Sequence, residues 1–194
     1  MASPSSVSMM AMGVRNINSR FMRTGNEVAD FVKEHLVTEL KNLASFKSGN
    51  YEQCLKDIYL RIDEMLRTSY GKAKLQTYRK SGNDQGTAMF GKGNTEDIAF
   101  AAGCTACSAI ITPTDIYVGN SGDSRAVLGR KQTNGKYVTV EMSFDHKPDN
   151  PDEKLRIERA GGFVEDNRVK GVLNLSRSLG DLEYKTDSKL NAKD

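Results

Sequence analysis

Apolar residues recur at intervals of three and four between Val28 and Leu43: Val28, Phe31, Val32, Leu36, Leu40 and Leu43, with Lys33, Glu34, Glu39 and Lys41 between them. A stripe with that period lies on one face of a helix, so the spacing predicts a helix over 26–44. His35 sits beside the stripe and reads as a partly buried packing residue rather than a ligand. After Ser48-Gly49-Asn50 the same period returns in Leu55, Ile58, Tyr59, Ile62, Leu66 and Tyr70, predicting a second helix over 51–70. Two amphipathic helices in succession must each cover apolar surface, and the strands that follow are the obvious surface. Residues 71–97 are polar and Gly-rich and read as a long surface loop. Neither Ser81–Gly86 nor Gly91–Asn94 matches a phosphate-binding loop, because no Gly-Lys-Ser/Thr follows at the needed spacing.

From Ala99 to Met142 the pattern becomes strand-like, with strands near 104–112, 115–120, 124–130 and 136–142. Asn134-Gly135 is a hairpin turn signal between the last two. Consecutive strands joined by short turns predict an antiparallel meander. Pro151 and Asp152 open a third helix reaching about Ala160, with proline in the first turn, where its missing N–H costs nothing. Gly161-Gly162 stops it. Phe163-Val164 and Val172-Leu173 read as short strands, Ser176 to Asp181 as a compact polar turn, and Thr186 to Asp194 as a polar tail.

Composition narrows the classes. A chain of 194 residues, 38% hydrophobic and 27% charged, fits one globular domain with a real core. No apolar run approaches the ~20 residues of a membrane span. A net charge of +3 with both signs interspersed does not argue for nucleic acid. Three cysteines, Cys54, Cys104 and Cys107, do not read as a disulfide framework and point to a reducing compartment, cytoplasmic or nuclear. Cys104 and Cys107 form a lone CxxC, which favours two buried small residues over zinc. Residues 1–24 read as a disordered or targeting-like tail. Their Ser, Met and Arg content without an acid is compatible with a mitochondrial address, the alternative compartment.

The candidate chemistry centres on Asn120-Ser121-Gly122-Asp123-Ser124-Arg125. An apolar segment precedes it and Ala126-Val127-Leu128 follows, so Gly122 and Asp123 are expected in a tight turn between two strands. A carboxylate held there can bind a metal or orient a polar ligand. It can equally form an Asx-type turn that only satisfies backbone donors.

Other motifs stand in order around this one: Gly103-Cys104-Thr105-Ala106 upstream, then Asp145-His146-Lys147-Pro148, Glu153 to Arg156-Ile157, Ala160-Gly161-Gly162, Arg168-Val169, and Leu175-Ser176-Arg177-Ser178-Leu179-Gly180-Asp181. In this order and spacing the chain resembles the metal-dependent protein phosphatase family (the PPM, or type 2C, serine/threonine phosphatases) over roughly residues 25–190. The resemblance implies an α+β fold, a β-sandwich of antiparallel sheets flanked by amphipathic helices. It also implies two divalent metals, Mg²⁺ or Mn²⁺, whose water attacks the phosphorus of phosphoserine or phosphothreonine in a phosphoprotein substrate. Hard cations need oxygen donors, and a metal pair about 4 Å apart activates water and neutralises phosphate charge.

Carried over residue by residue, the resemblance places Asp123 at the position of an additional metal. Gly122, Ser124, Arg125, Asp145, His146, Ser176, Arg177 and Asp181 fall on motif positions expected to be near the site or structural. The family's Asp-Gly-His-Gly-Gly, aligned on Gly25-Asn26-Glu27-Val28-Ala29, falls on Phe21, Met22 and Arg23 at its metal-bridging Asp, carbonyl-donating Gly and His. Phe21 offers a hard cation no side-chain donor. Arg23, whose guanidinium stays protonated throughout the working range, donates no proton there. The family's later metal-binding acids have no counterpart before Asp194. The expectation is therefore an incomplete domain over 25–190 with a short tail at 191–194, related to phosphatases but weak or inactive as this chain. The alternatives are a pseudophosphatase serving as a protein-binding module, or a truncated product that self-associates through exposed sheet edges.

Overall fold

The computed structural model describes residues 26–81 and 97–190, and the strand Ser8–Ala11. The first periodic stripe forms α1 (Glu27–Asn42) and the second forms α3 (Tyr51–Arg67), separated by the single turn α2 (Ala44–Lys47). The Asn50 side chain accepts from the amide of Gln53 and caps α3. Val28, Phe31, Val32, Leu36 and Leu40 of α1 meet Cys54, Leu55, Ile58, Ile62 and Leu66 of α3 in one buried cluster. Each such side chain contributes about 1.5–3 kcal/mol by leaving water. His35 stacks on Phe31 with ring centroids 4.2 Å apart, and its Nε2 lies 2.8 Å from the Tyr70 hydroxyl. It packs, as its place beside the stripe indicated.

Residues 71–97 are not all loop. A fourth helix, α4 (Ser69–Ser81), follows α3. Thr68 is the joint between them. Its amide and its hydroxyl both donate to the carbonyl of Met65, and the hydroxyl accepts from the amide of Gly71. Gly71 works here by size. A Cβ on it would lie 2.1 Å from the Met65 carbonyl oxygen, so a residue that reads as a breaker is what lets α4 start against α3. The two Gly-rich motifs fall largely outside the described residues. One further turn, α5 (Ile98–Ala101), leads into the strands.

The described strands are β1 (Ser8–Ala11), β2 (Gly103–Cys104), β3 (Ala106–Ile111), β4 (Ile116–Ser121), β5 (Val127–Lys131), β6 (Tyr137–Glu141), β7 (Val164–Glu165), β8 (Arg168–Val169) and β9 (Leu179–Gly180). The order β1-β3-β4 makes a three-stranded antiparallel sheet, and β2-β9, β5-β6 and β7-β8 are two-stranded. The expected meander is therefore interrupted. The β3–β4 and β5–β6 hairpins both form, but β4 and β5 are not hydrogen-bonded to one another, and β5 begins at Val127 rather than 124. The turn-like stretch Ser176–Asp181 holds a strand, β9, whose partner lies far back in the chain. Val172-Leu173 is no strand: Leu173 makes one isolated bridge to Val169.

Helices cover one face of the sheet. α3 packs on β4 and β9, and α1 on β2. The buried Tyr59 hydroxyl donates to the Gly119 carbonyl at 2.8 Å and lies 2.7 Å from Ser108 Oγ, tying α3 to both strands of the β3–β4 hairpin. Cys54, Cys104 and Cys107 are free and buried. α6 (Pro151–Arg159) starts at the expected proline. This is an α+β arrangement of antiparallel sheets flanked by amphipathic helices.

Candidate functional site

β4 ends at Ser121, and the chain turns at Gly122 with φ +105°. Only glycine adopts that angle without strain, and a Cβ here would lie 2.4 Å from Thr105 Cγ2. The turn is strapped to the loop after β6. The Gly122 amide donates to His146 Nδ1 at 3.3 Å, and the Gly122 carbonyl accepts from the His146 amide at 3.0 Å. Asn120 Nδ2 donates to the carbonyls of Gly122 and Phe144, at 3.0 and 2.8 Å. The Gly122 bond requires His146 Nδ1 to be unprotonated. Burial, helped by the positive charge of Arg177, lowers the His146 pKa and favours that form.

The strap brings four of the remaining motif residues together. The Asp123 carboxylate pairs with Lys147 Nζ. Arg125 Nε donates to Asp145 Oδ1 at 3.0 Å. Ser124 Oγ lies 2.8 Å from Thr105 Oγ1, which fastens the turn to the segment between β2 and β3.

Ser176 and Arg177 join from the other side. The Ser176 amide donates to the His146 carbonyl at 3.3 Å. The Arg177 guanidinium forks onto Glu153, in the first turn of α6, and Arg156 Nη2 donates both to Glu153 at 3.0 Å and to the Ser176 carbonyl at 2.6 Å. Burial alone would raise the Glu153 pKa. The bonds from Arg177, Ser176 and Arg156 outweigh it and hold the carboxylate at about 2.

Asp181 does not join this group. It follows β9 in a left-handed conformation with φ 48° and is buried, with one carboxylate oxygen pressed against Gly103 and lacking a hydrogen-bond partner. Its neighbours are structural: Asp63 accepts from the Gly180 amide at 2.9 Å and from Lys185 Nζ at 2.6 Å. Phe21, Met22 and Arg23 lie outside the described residues.

A pair of Mg²⁺ or Mn²⁺ ions would need a cluster of oxygen donors at this turn. Among the described residues no group of three His, Cys, Asp or Glu side chains is placed to hold a metal. The carboxylates around the turn are each matched to a cation of the protein itself: Asp123 to Lys147, Asp145 to Arg125, Glu153 to Arg156 and Arg177. A pair of hard cations needs several free oxygen donors, so these residues do not fit one. The pairings of Lys147 and of Glu153 were not visible as site features in the sequence. Their motifs were, but each pair bridges 24 residues of chain with no periodic signal between the partners.

Comparison with known proteins bears on the family and the fold. The Protein phosphatase 2C family profile matches residues 20–193. Protein phosphatase 2C 1 of Paramecium tetraurelia is 49% identical over 168 residues, 87% of this chain and 50% of that protein. Protein phosphatase 2C homolog 2 of Schizosaccharomyces pombe is 41% identical over 167 residues, 86% of this chain and 37% of that protein. The chain thus spans half the length, or less, of these relatives. The crystal structure of serine-threonine phosphatase 2C from Toxoplasma gondii shares the fold with a TM-score of 0.59 at 22% identity, over 84% of this chain and 57% of that one. With its ordered motifs, its helix-covered antiparallel sheet and a profile match over nearly its whole length, the chain belongs to the protein phosphatase 2C family.

Proposed function

We propose that the chain is related by descent to metal-dependent hydrolysis of phosphoserine and phosphothreonine in proteins, and that as this polypeptide it turns phosphoprotein over weakly or not at all. The observation that carries the reading is the donor set around the turn, whose carboxylates Asp123, Asp145 and Glu153 are each paired with a cation of the protein. The carboxylate at the family's additional-metal position is already neutralised by the protein. Phe21, Met22 and Arg23 at the aligned metal and acid positions point the same way.

A second reading has its own support. The helical layer and the β3–β4 hairpin share one buried cluster, as a pseudophosphatase retained for protein binding would need. Hydrolysis of a phosphothreonine peptide, with Mn²⁺ and with chelator, tests the first reading. Turnover near background in both conditions is expected. Chelator-sensitive turnover that Asp123→Ala abolishes would overturn it.

A further inference from the structure

We propose that the β5–β6 hairpin is a docking edge for an acidic segment of a partner polypeptide, added as a strand along β5. The hairpin runs in register from Val127↔Glu141 to Lys131↔Tyr137 and closes at Asn134-Gly135. Among the described residues no third strand pairs with it. Among the described residues the outer edge of β5, with its alternating backbone donors and acceptors, is therefore left without a strand partner. Such an edge is a template for another strand.

The side chains around that edge set its partner's chemistry. Arg130, Lys131 and Lys136 are all exposed at the tip, and no Asp or Glu occurs from Ser124 to Val140. Among the described residues none of these three cations belongs to an ion pair, whereas Arg125, Lys147, Arg156, Arg177 and Lys185 each have one. Tyr137 is 69% exposed and Val127 54%. They lie on one face with Lys131, because alternate residues of paired strands share a face. The site therefore wants carboxylates near the tip and apolar groups toward Val127.

Backbone pairing separates a polypeptide from a nucleic acid. A strand edge alternates N–H and C=O groups, which another peptide matches. A phosphodiester only accepts, so it would leave the edge carbonyls unmatched.

Binding of a fluorescein-labelled peptide of alternating glutamate and valine to the full chain, read by fluorescence anisotropy, tests the proposal. The expected result is binding that weakens as salt rises and becomes about tenfold weaker in R130E/K131E/K136E. Because all three side chains are exposed, the variant should melt like the parent. Absence of binding by the parent, or equal binding by the variant, would overturn the proposal. So would tighter binding of an oligothymidylate than of the peptide. A dimer of the unliganded chain that the triple reversal dissolves would give the hairpin to a second copy, with the same consequence. The readout does not depend on phosphate hydrolysis, so it stands or falls apart from the function proposed above.

Discussion

Arg177 meets the carboxylate of Glu153 through a fork, with Nε 3.0 Å from each oxygen and Nη2 2.7 Å from Oε1. Burial works against the charged carboxylate, but Arg177, with Ser176 and Arg156, brings it from 4.5 to about 2. A pKa lowered in the folded state contributes stability above the unfolded value, and that stability is lost as pH falls toward 2. The window is therefore pH 4.5 to 2, with a ceiling of about 3 kcal/mol. Glu153→Gln should cost about 3 kcal/mol at neutral pH, because it leaves two guanidiniums without their counter-charge. It should also flatten the loss of stability through that window. Denaturant unfolding of both proteins across the acid range measures this, and an unchanged slope in the variant would remove Glu153 as its source.

The turn at Gly122 gives a second expectation. Its φ of +105° and the 2.4 Å approach of a Cβ to Thr105 Cγ2 both penalise Gly122→Ala, by about 1–3 kcal/mol. Thr105→Ser removes that methyl while keeping a hydroxyl opposite Ser124. In combination it should restore part of the loss, the remainder being the backbone angle and the approach of the residue 105 Cβ, 2.9 Å away. Chemical denaturation of the single and double variants separates the two. Full recovery would mean that the angle itself costs nothing here.

The parts of the fold that sequence reveals are those with a period. α1 and α3 were legible because their apolar residues repeat every three or four positions, and both end within three residues of the expected bounds. α4 was not, because among its residues of described burial Leu75 is the one large apolar side chain fully buried. One anchor makes no stripe, and Gly71 disguised the helix start. The β4–β5 gap was equally hidden, since strand periodicity says which face a residue takes and nothing about which strand pairs with which. In the site, the Gly122 turn was legible as local turn chemistry. The ion pairs around it were not, because they depend on where α6 and the 145–147 loop come to rest.

Asp181 carries the opposite sign to Glu153. Burial, aided by the like charges of Glu183 and Asp63, raises its pKa despite the Ser178 bond and the attraction of Lys185. A carboxylate whose folded pKa is raised favours folding below its ordinary range, and that contribution is lost as pH rises through the raised value. Burial penalises the charged form of this carboxylate, one of whose oxygens lacks a hydrogen-bond partner. Asp181→Asn should therefore raise stability by about 1 kcal/mol, since asparagine removes the charge and tolerates the left-handed backbone. Asp181→Ala should not, because alanine is strained at φ 48°. Thermal melts at neutral pH of the three proteins decide this. A destabilised Asn variant would show that the carboxylate is needed as an acceptor.

Asp123 and Lys147 make the last expectation one of competition. Any divalent cation reaching Asp123 must first displace an ammonium that already neutralises it. Both side chains are about one-third exposed, so the pair is screened and its displacement costs little. Removing Lys147 should tighten Mn²⁺ binding by no more than about fivefold, the upper end for a solvent-screened ion pair. Asp123→Asn should abolish whatever binding this position supports. Titration of Mn²⁺ followed by the electron paramagnetic resonance of the free ion reads both variants without reference to catalysis. If Lys147→Met leaves the affinity unchanged while Asp123→Asn destroys it, then Asp123 binds the metal through a geometry that the ion pair does not obstruct, and Lys147 plays no part in keeping the metal out.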